Sequence, residues 1–379
     1  MKLKLVSIIL SIASVTATPV VANDTSPLAF EFKKIADLPD FPRVVSDGNY
    51  VIGFVDPNST WPGVPEFTTR AMYRWSEAKG VEWLIDETIK QSHPRDVNNN
   101  GSATARVCSA HDCYSVIWHQ NGSIQSLKAE IDEPITEFLE INELGYNPVQ
   151  EEIHISEKEA LAGTTVYTTM SGMRGTLAWT WDKKAKLKIL EQGTENTQSE
   201  AQGINNPGIV VGSTIESSSG VETATYWDKN GKKQIINLSS ADYPAGTLAL
   251  GLNNSGLVAG VDSFTYGNPW RFDINDQKRL PMENSPLGDA RPTAVLQNDF
   301  IAGSVESVGE SGLFLRPTLW DSKGRIYDLN DSFEDDKYEL MGWYGINTSL
   351  LMATPLRSKE TDYYDGAALY QLIVVTPES

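Results

Sequence analysis

One element recurs along this chain and decides what the chain can fold into. In its clearest form it reads Gly203-Ile204-Asn205-Asn206-Pro207-Gly208-Ile209-Val210-Val211-Gly212, followed by Ala224-Thr225-Tyr226-Trp227-Asp228 and then Ile235-Ile236-Asn237-Leu238. The next copy is Gly251-Leu252-Asn253-Asn254-Ser255-Gly256-Leu257-Val258-Ala259-Gly260, with Trp270 in its second half and Leu280 at its end. Weaker first halves occur at 45–53, 97–101, 155–163, 295–303 and 345–348, and second halves around Trp75, Trp118, Trp181, Trp320 and Tyr370. The residue closing each first half is Gly53, Ala105, Gly163, Gly212, Gly260, Gly303 or Ala353, so seven copies follow one another at a mean step of about 50 residues. A period of that length specifies an array of small supersecondary units.

Each unit divides into four short β-like runs. In the clearest copy they are 201–204, 209–216, 221–228 and 232–238, separated by Asn-Asn-Pro-Gly, Ser-Ser-Ser-Gly and Lys-Asn-Gly, sequences suited to tight turns. Seven four-stranded antiparallel meanders predict an all-β chain folded as a seven-bladed β-propeller. The last unit has three runs, ending at 367–375, while 30–38 is an orphan run near the N-terminus. Pairing the two would close the ring and hide both sheet edges.

Hydrophobic residues make up 40% of the 379 and charged residues 21%, which excludes disordered, collagen-like and coiled-coil chains. Residues 1–22 read as a secretory signal: Lys2 and Lys4, an apolar stretch from Leu5 to Val15 too short to span a bilayer, then Val20-Val21-Ala22. A single propeller domain of residues 23–379, exported to the periplasm or beyond the cell, is expected. Losing Lys2 and Lys4 makes the formal charge of −19 more negative still, which disfavours nucleic acid and anionic membranes. No later apolar run is long enough for a membrane span. A monomer with an extracytoplasmic protein or glycan as partner fits best.

The two cysteines, Cys108 and Cys113, flank four residues between β-like runs, a spacing that puts them across the base of a hairpin within disulfide reach. A Cys/His metal site using His111 would need further soft ligands that the chain lacks. One step of the repeat is long, from Ala105 to Gly163, and the extra residues at 130–144 carry Pro134, Ile135, Phe138, Leu139 and Leu144 in a pattern predicting a short amphipathic helix between units.

The Gly-Ile-Asn-Asn-x-Gly-x-Val-x-Gly element followed by Ala-x-x-Trp-Asp resembles the bacterial extracellular repeats of the HAF type. The resemblance is sharp at 203–238 and 251–260, and Ala224-Thr225-Tyr226-Trp227 stands where that family has its His-Ala-Phe tripeptide. It implies export and repetition, and no catalytic residue. The Gly-Gly pairs of kelch repeats and the Gly-His partner of WD40 repeats are absent.

In a meander, the turns between runs 1 and 2 and between 3 and 4 share one face, and here they are tight. The longer loops share the other face, where a ligand site is expected. Trp61, Tyr266, Tyr363 and Tyr364 fall in those loops, as aromatics able to stack on a sugar or grip a peptide, or else to cap their own blades. His93, His111 and Asp112 also fall on that face and offer a metal or acid–base constellation. His119 belongs to the tight-turn face and His154 to a strand; both read as structural. Asp328, Asp331, Glu334, Asp335 and Asp336 form an acidic run that invites calcium, the one cofactor considered, or is a solvated charge run. Asp96-Val-Asn98-Asn-Asn100-Gly101 resembles the start of a calcium loop, but its twelfth position is Val107 and it coincides with the repeat's turn.

Nucleophile-elbow, zincin, phosphate-loop and dinucleotide motifs are absent. Residues recurring once per unit serve turns and inter-blade packing, so Trp75, Trp118, Trp181, Trp227, Trp270 and Trp320 are expected between blades. The leading expectation is a non-catalytic binding or scaffold propeller with a protein or glycan on its long-loop face. The rivals are a hydrolase or lyase acting on a glycan or peptide at the channel mouth through His93, His111 and Asp112, and a calcium-stabilised structural propeller.

Overall fold

The computed structural model of the protein describes residues 28–375 apart from 57, 58, 60, 66–68, 85, 111, 192–196, 217, 218, 239–245, 263–266, 310, 311, 343 and 362. Seven antiparallel sheets follow one another along the chain and form a seven-bladed β-propeller. Blades 1 to 6 span 41–83, 91–126, 145–189, 197–235, 247–280 and 290–328, each a four-stranded meander. In blade 7 the inner strand is split into Tyr338–Leu340 and Gly345–Ile346, both paired with Leu351–Ser358, and Tyr364–Val375 follows. Its outermost strand is Ala29–Leu38, antiparallel to Tyr364–Val375, so the two ends of the described chain close the ring as the orphan run predicts.

The Asn-Asn element has a physical role that explains its recurrence. Its second position sits at the turn between the first two strands, and there a side-chain oxygen of each blade accepts a backbone N–H from the blade before. The circle runs Gly48 to Asn99, Asn99 to Glu157, Glu157 to Asn206, Asn206 to Asn254, Asn254 to Gln297, Gln297 to Thr348, and Thr348 to Asp47, at 2.7–2.9 Å. The first Asn works in both directions. Oδ1 of Asn98, Asn205, Asn253 and Asn347 accepts an N–H of its own turn, while Nδ2 donates to the carbonyl of Ser156, Asn253, Leu296 or Ser46 in the next blade. A ring of hydrogen bonds therefore ties the tight-turn face together.

The inner strands of blades 1, 2, 4, 5 and 6 carry a β-bulge next to the partner of the residue that closes the first half of the repeat, and blade 3 carries its bulges earlier on the strand. In blades 4 and 5 a carbonyl of the inner strand leaves no room for a side chain there, since a Cβ on Gly212 would lie 1.9 Å from the Glu200 carbonyl oxygen and one on Gly260 2.1 Å from that of Leu248, whereas blade 2 accommodates Ala105.

The core lies in the interfaces between blades. Trp118 packs on Ile52, Met72 and Leu84 of blade 1, Trp227 on Ala162, Ala178 and Leu190 of blade 3, and Trp320 on Leu257 and Ala259 of blade 5. Indole N–H groups of Trp227 and Trp320 donate to the carbonyls of Glu191 and Glu283, which end or follow the preceding blade. Val258 pairs with Phe272, as Val210 pairs with Trp227, so Phe272 is the repeat aromatic of blade 5; Trp270 lies two residues earlier, across from Gly260, as Trp179 lies across from Gly163. Both are buried against blade 4.

The extra residues between blades 2 and 3 form a π-helical turn, Lys128–Asp132, running into the α-helix Glu133–Ile141 with Pro134 in its first turn. Ile131, Ile135 and Leu139 face the core at helical spacing. Cys108 and Cys113 are register partners joined by a disulfide, 4.0 Å apart at Cα. No helix among the described residues is long and apolar enough to cross a membrane.

Candidate functional site at the long-loop mouth

Where blades 7, 1 and 2 meet on the long-loop face, side chains from separate strands stack into one column. The Tyr364 ring stacks on Phe41 at 4.9 Å, Phe41 stacks on Phe54 at 5.1 Å, and the Arg70 guanidinium lies 4.6 Å above the Phe54 ring. Arg70 pairs with Asp56 at 3.4 Å and donates from Nη1 to Nδ1 of His93 at 3.2 Å. A guanidinium has only donors, so this nitrogen of His93 is an acceptor and carries no proton.

His93 stands among four arginines. Burial, then Arg70, Arg95, Arg106 and Arg43, push its pKa down to about 4, so the imidazole is neutral at pH 7. Arg106 is its register partner on the next strand. Arg43 and Arg95 are the bulge residues of the inner strands of blades 1 and 2, skipped by the register between Pro42 and Val44 and between Pro94 and Asp96. Both therefore sit at irregularities of the first, innermost strands of their blades. Arg95 meets Glu152 of blade 3 at 3.5 Å, while its Nε is buried without a hydrogen-bond partner among the described residues. Arg43 forms no ion pair among the described residues; desolvation of its guanidinium and the nearby Arg95 charge lower its pKa. Four guanidiniums gather here on a chain of formal charge −19, two of them matched by Asp56 and Glu152.

Of the residues singled out in the sequence, Tyr364 joins the stacked column, and its phenol is pushed well above the usual range by burial and by Asp40, Asp365 and Asp56. Tyr363 beside it is 77% exposed. Trp61 is partly buried, its N–H donating to Ser59 Oγ. Tyr266 and His111 lie outside the described residues. Asp112 pairs with Lys128, and no hydrogen bond or ion pair joins it to His93. His119 bonds Gln125 and pairs with Glu159 of blade 3, and His154 faces Asp96 at 3.9 Å. Asp328 and Asp331 both pair with Arg316, Asp335 caps the backbone of Lys337 and Tyr338, and Glu334 and Asp336 are exposed. Among the described residues no group of three or more His, Cys, Asp or Glu is arranged to hold a metal ion.

Sequence reasoning passed over Phe41, Phe54, Arg43, Arg70, Arg95 and Arg106. A signal for two of them was present: Pro42-Arg43 and Pro94-Arg95 occupy the same place in successive units, three residues before the turn.

The fold and this mouth define a β-propeller with an arginine-bearing, aromatic-walled rim. No protein-family model matches the sequence, and no curated protein matches it. Among solved structures the chain is similar to acylaminoacyl peptidase from Pyrococcus horikoshii, 8% identical with a TM-score of 0.53, over 87% of this chain and 51% of that one. This chain thus spans about half the length of that peptidase. Virginiamycin B lyase from Staphylococcus aureus aligns over 92% of this chain and all of its own, at 10% identity and a TM-score of 0.47. At such identities the likeness extends to the fold alone.

Proposed function

We propose that this protein is an exported, non-catalytic binding propeller whose ligand carries carboxylates and docks on the long-loop face where blades 7, 1 and 2 meet. The observation that carries this reading is the set of four arginines around a neutral His93, two of them at bulges of the innermost strands. Guanidiniums recognise carboxylates in bidentate fashion, and the Tyr364–Phe41–Phe54 column and the exposed Tyr363 supply flat apolar surface beside them. The Cys108–Cys113 disulfide and the likeness to extracellular repeats support export.

Calorimetric titration with hexaglutamate and with trigalacturonate tests this, with maltotriose as the uncharged control. Binding of either acidic probe is expected, weakened by salt and reduced at least tenfold by combined Arg43→Gln and Arg95→Gln. The probe that binds tells an acidic protein segment from an acidic glycan. Failure of both probes, or equal binding by the double variant, would remove the reading. Turnover of a glycan or peptide that disappears in His93→Ala would replace it with the enzymatic alternative.

A further inference from the structure

The long hairpin of blade 3 carries a pair of methionines at its tip. Leu161–Thr169 and Arg174–Asp182 are joined by Met170-Ser171-Gly172-Met173, and both thioether side chains stand in solvent, 69% and 66% exposed. The other described methionines are protected: Met72 and Met352 are fully buried, and Met282 and Met341 are partly covered. Methionine ordinarily fills irregular gaps in a core, so two of them on one tight turn depart from that use.

The turn itself does not need their sulfurs. The Thr169 N–H donates to the Met173 carbonyl at 2.7 Å, the Gly172 N–H to the Thr169 carbonyl at 2.8 Å, and the Met173 N–H to Thr169 Oγ1 at 3.0 Å, with Gly172 supplying the left-handed φ of 83°. What the thioethers add is apolar surface. Tyr146, the register partner of Thr168, is 47% exposed beside the turn, and Met173 lines a surface hollow with Val149, Val166 and Tyr167.

A thioether reacts with hydrogen peroxide by two-electron oxygen transfer. The sulfur lone pair attacks one peroxide oxygen, the O–O bond breaks, that oxygen stays on sulfur as the sulfoxide, and the other leaves with both protons as water. The sulfur must be reached from solvent, so a buried methionine reacts only when the structure around it opens. The product is strongly polar where the thioether was apolar.

We propose that Met170 and Met173 form a reversible oxidation site, at which hydrogen peroxide converts both to sulfoxides ahead of every other described methionine and turns the apolar tip of blade 3 polar. Their position on an exposed turn also leaves them open to methionine sulfoxide reductases, which restore each thioether while a dithiol becomes a disulfide and the oxygen leaves as water. The site is separate from the docking surface at the channel mouth, because neither methionine belongs to the stacked column or to the arginines around His93.

The test is a hydrogen peroxide time course on the full protein, followed by peptide mass spectrometry. Met170 and Met173 are expected to gain one oxygen each at least tenfold faster than Met72 and Met352 in the folded protein, and at equal rates in urea. The doubly oxidised protein should elute earlier from a hydrophobic-interaction column with its melting temperature unchanged, and sulfoxide reductases with dithiothreitol should restore the original elution. Combined Met170→Leu and Met173→Leu should abolish the shift in elution under the same peroxide. Oxidation of Met72 or Met352 as fast as the pair would overturn the proposal. So would unchanged elution of the doubly oxidised protein, an equal shift in the leucine variant, or sulfoxides that the reductases leave in place.

Discussion

Asn253 sits at the busiest point of the ring of turn hydrogen bonds, fully buried between blades 5 and 6. Its Nδ2 donates to the Leu296 carbonyl at 3.1 Å and to Asp299 at 2.8 Å, while Oδ1 accepts from the N–H of Leu257 at 2.9 Å and from Ser255. Asn253→Ala strands the Leu257 N–H, while the Leu296 carbonyl keeps its bond from the Asp299 N–H; at about 1–3 kcal/mol for a buried polar group left unpaired, the loss is roughly 1–3 kcal/mol. Asn253→Ser should recover about half of it, for a reason visible in the molecule. Blades 1 and 3 carry serine at this place, and Ser46 and Ser156 accept the turn N–H of Tyr50 and Ala160 but have no amide to reach the next blade. Asn253→Asp keeps the acceptor, removes the donor and sets a second carboxylate beside Asp299, so it should be the worst of the three. Urea unfolding at pH 7 gives the order, with Ser least damaging, then Ala, then Asp. Equal midpoints for Ala and Ser, or a cost below about 1 kcal/mol for Ala, would show that the ring does not couple the blades.

Gly260→Ala places a methyl 2.1 Å from the Leu248 oxygen and 2.3 Å from the Trp270 ring, so it should cost about 3 kcal/mol or more, whereas at Gly251 a methyl meets nothing closer than 3.4 Å and Ala should be tolerated; paired melting curves check the contrast. His93, lowered from 6.5 to about 4 in the fold, takes up its proton later than the unfolded chain does, so stability should fall on acidification through that window, and His93→Gln should flatten the fall. Filling the mouth with an acidic probe should raise the His93 ring titration, followed by NMR; a titration that stays in place means no anion beside the ring. Replacing both cysteines by serine opens a small loop and should cost roughly 2 kcal/mol by loop entropy, read from denaturant unfolding of the folded variant.

Blade count, ring closure, the disulfide and the inserted helix were legible because each leaves a local mark: a period, an orphan strand, a cysteine spacing, a helical pattern. Which aromatic of blade 5 aligns with Trp227 is ambiguous for a physical reason. Residues two apart on a strand face the same side, so Trp270 and Phe272 satisfy the same apolar pattern, and only the pairing of Val258 with Phe272 separates them. Blade 3 shows the ambiguity openly, with Trp179 and Trp181 filling both places. The mouth was hidden for a different reason. Arg43, Arg95 and Arg106 come from three strands of two blades and Arg70 from the residue just before a fourth, and a formal charge of −19 describes the whole surface while these four describe one corner of it. Tyr364 was visible as a loop aromatic, but its partners Phe41 and Phe54 lie more than 300 residues away in sequence and meet it only because the ring closes.

The central claim is where the ligand sits, and hydrogen–deuterium exchange of the full protein with and without the tighter-binding acidic probe tests it most directly. The account predicts slowed exchange in the segments around Phe41, Phe54, Arg70, His93 and Tyr364, with the tight turns at Asn99, Asn206 and Asn254 unchanged. Protection confined to those turns, or spread evenly over the blades, would contradict it.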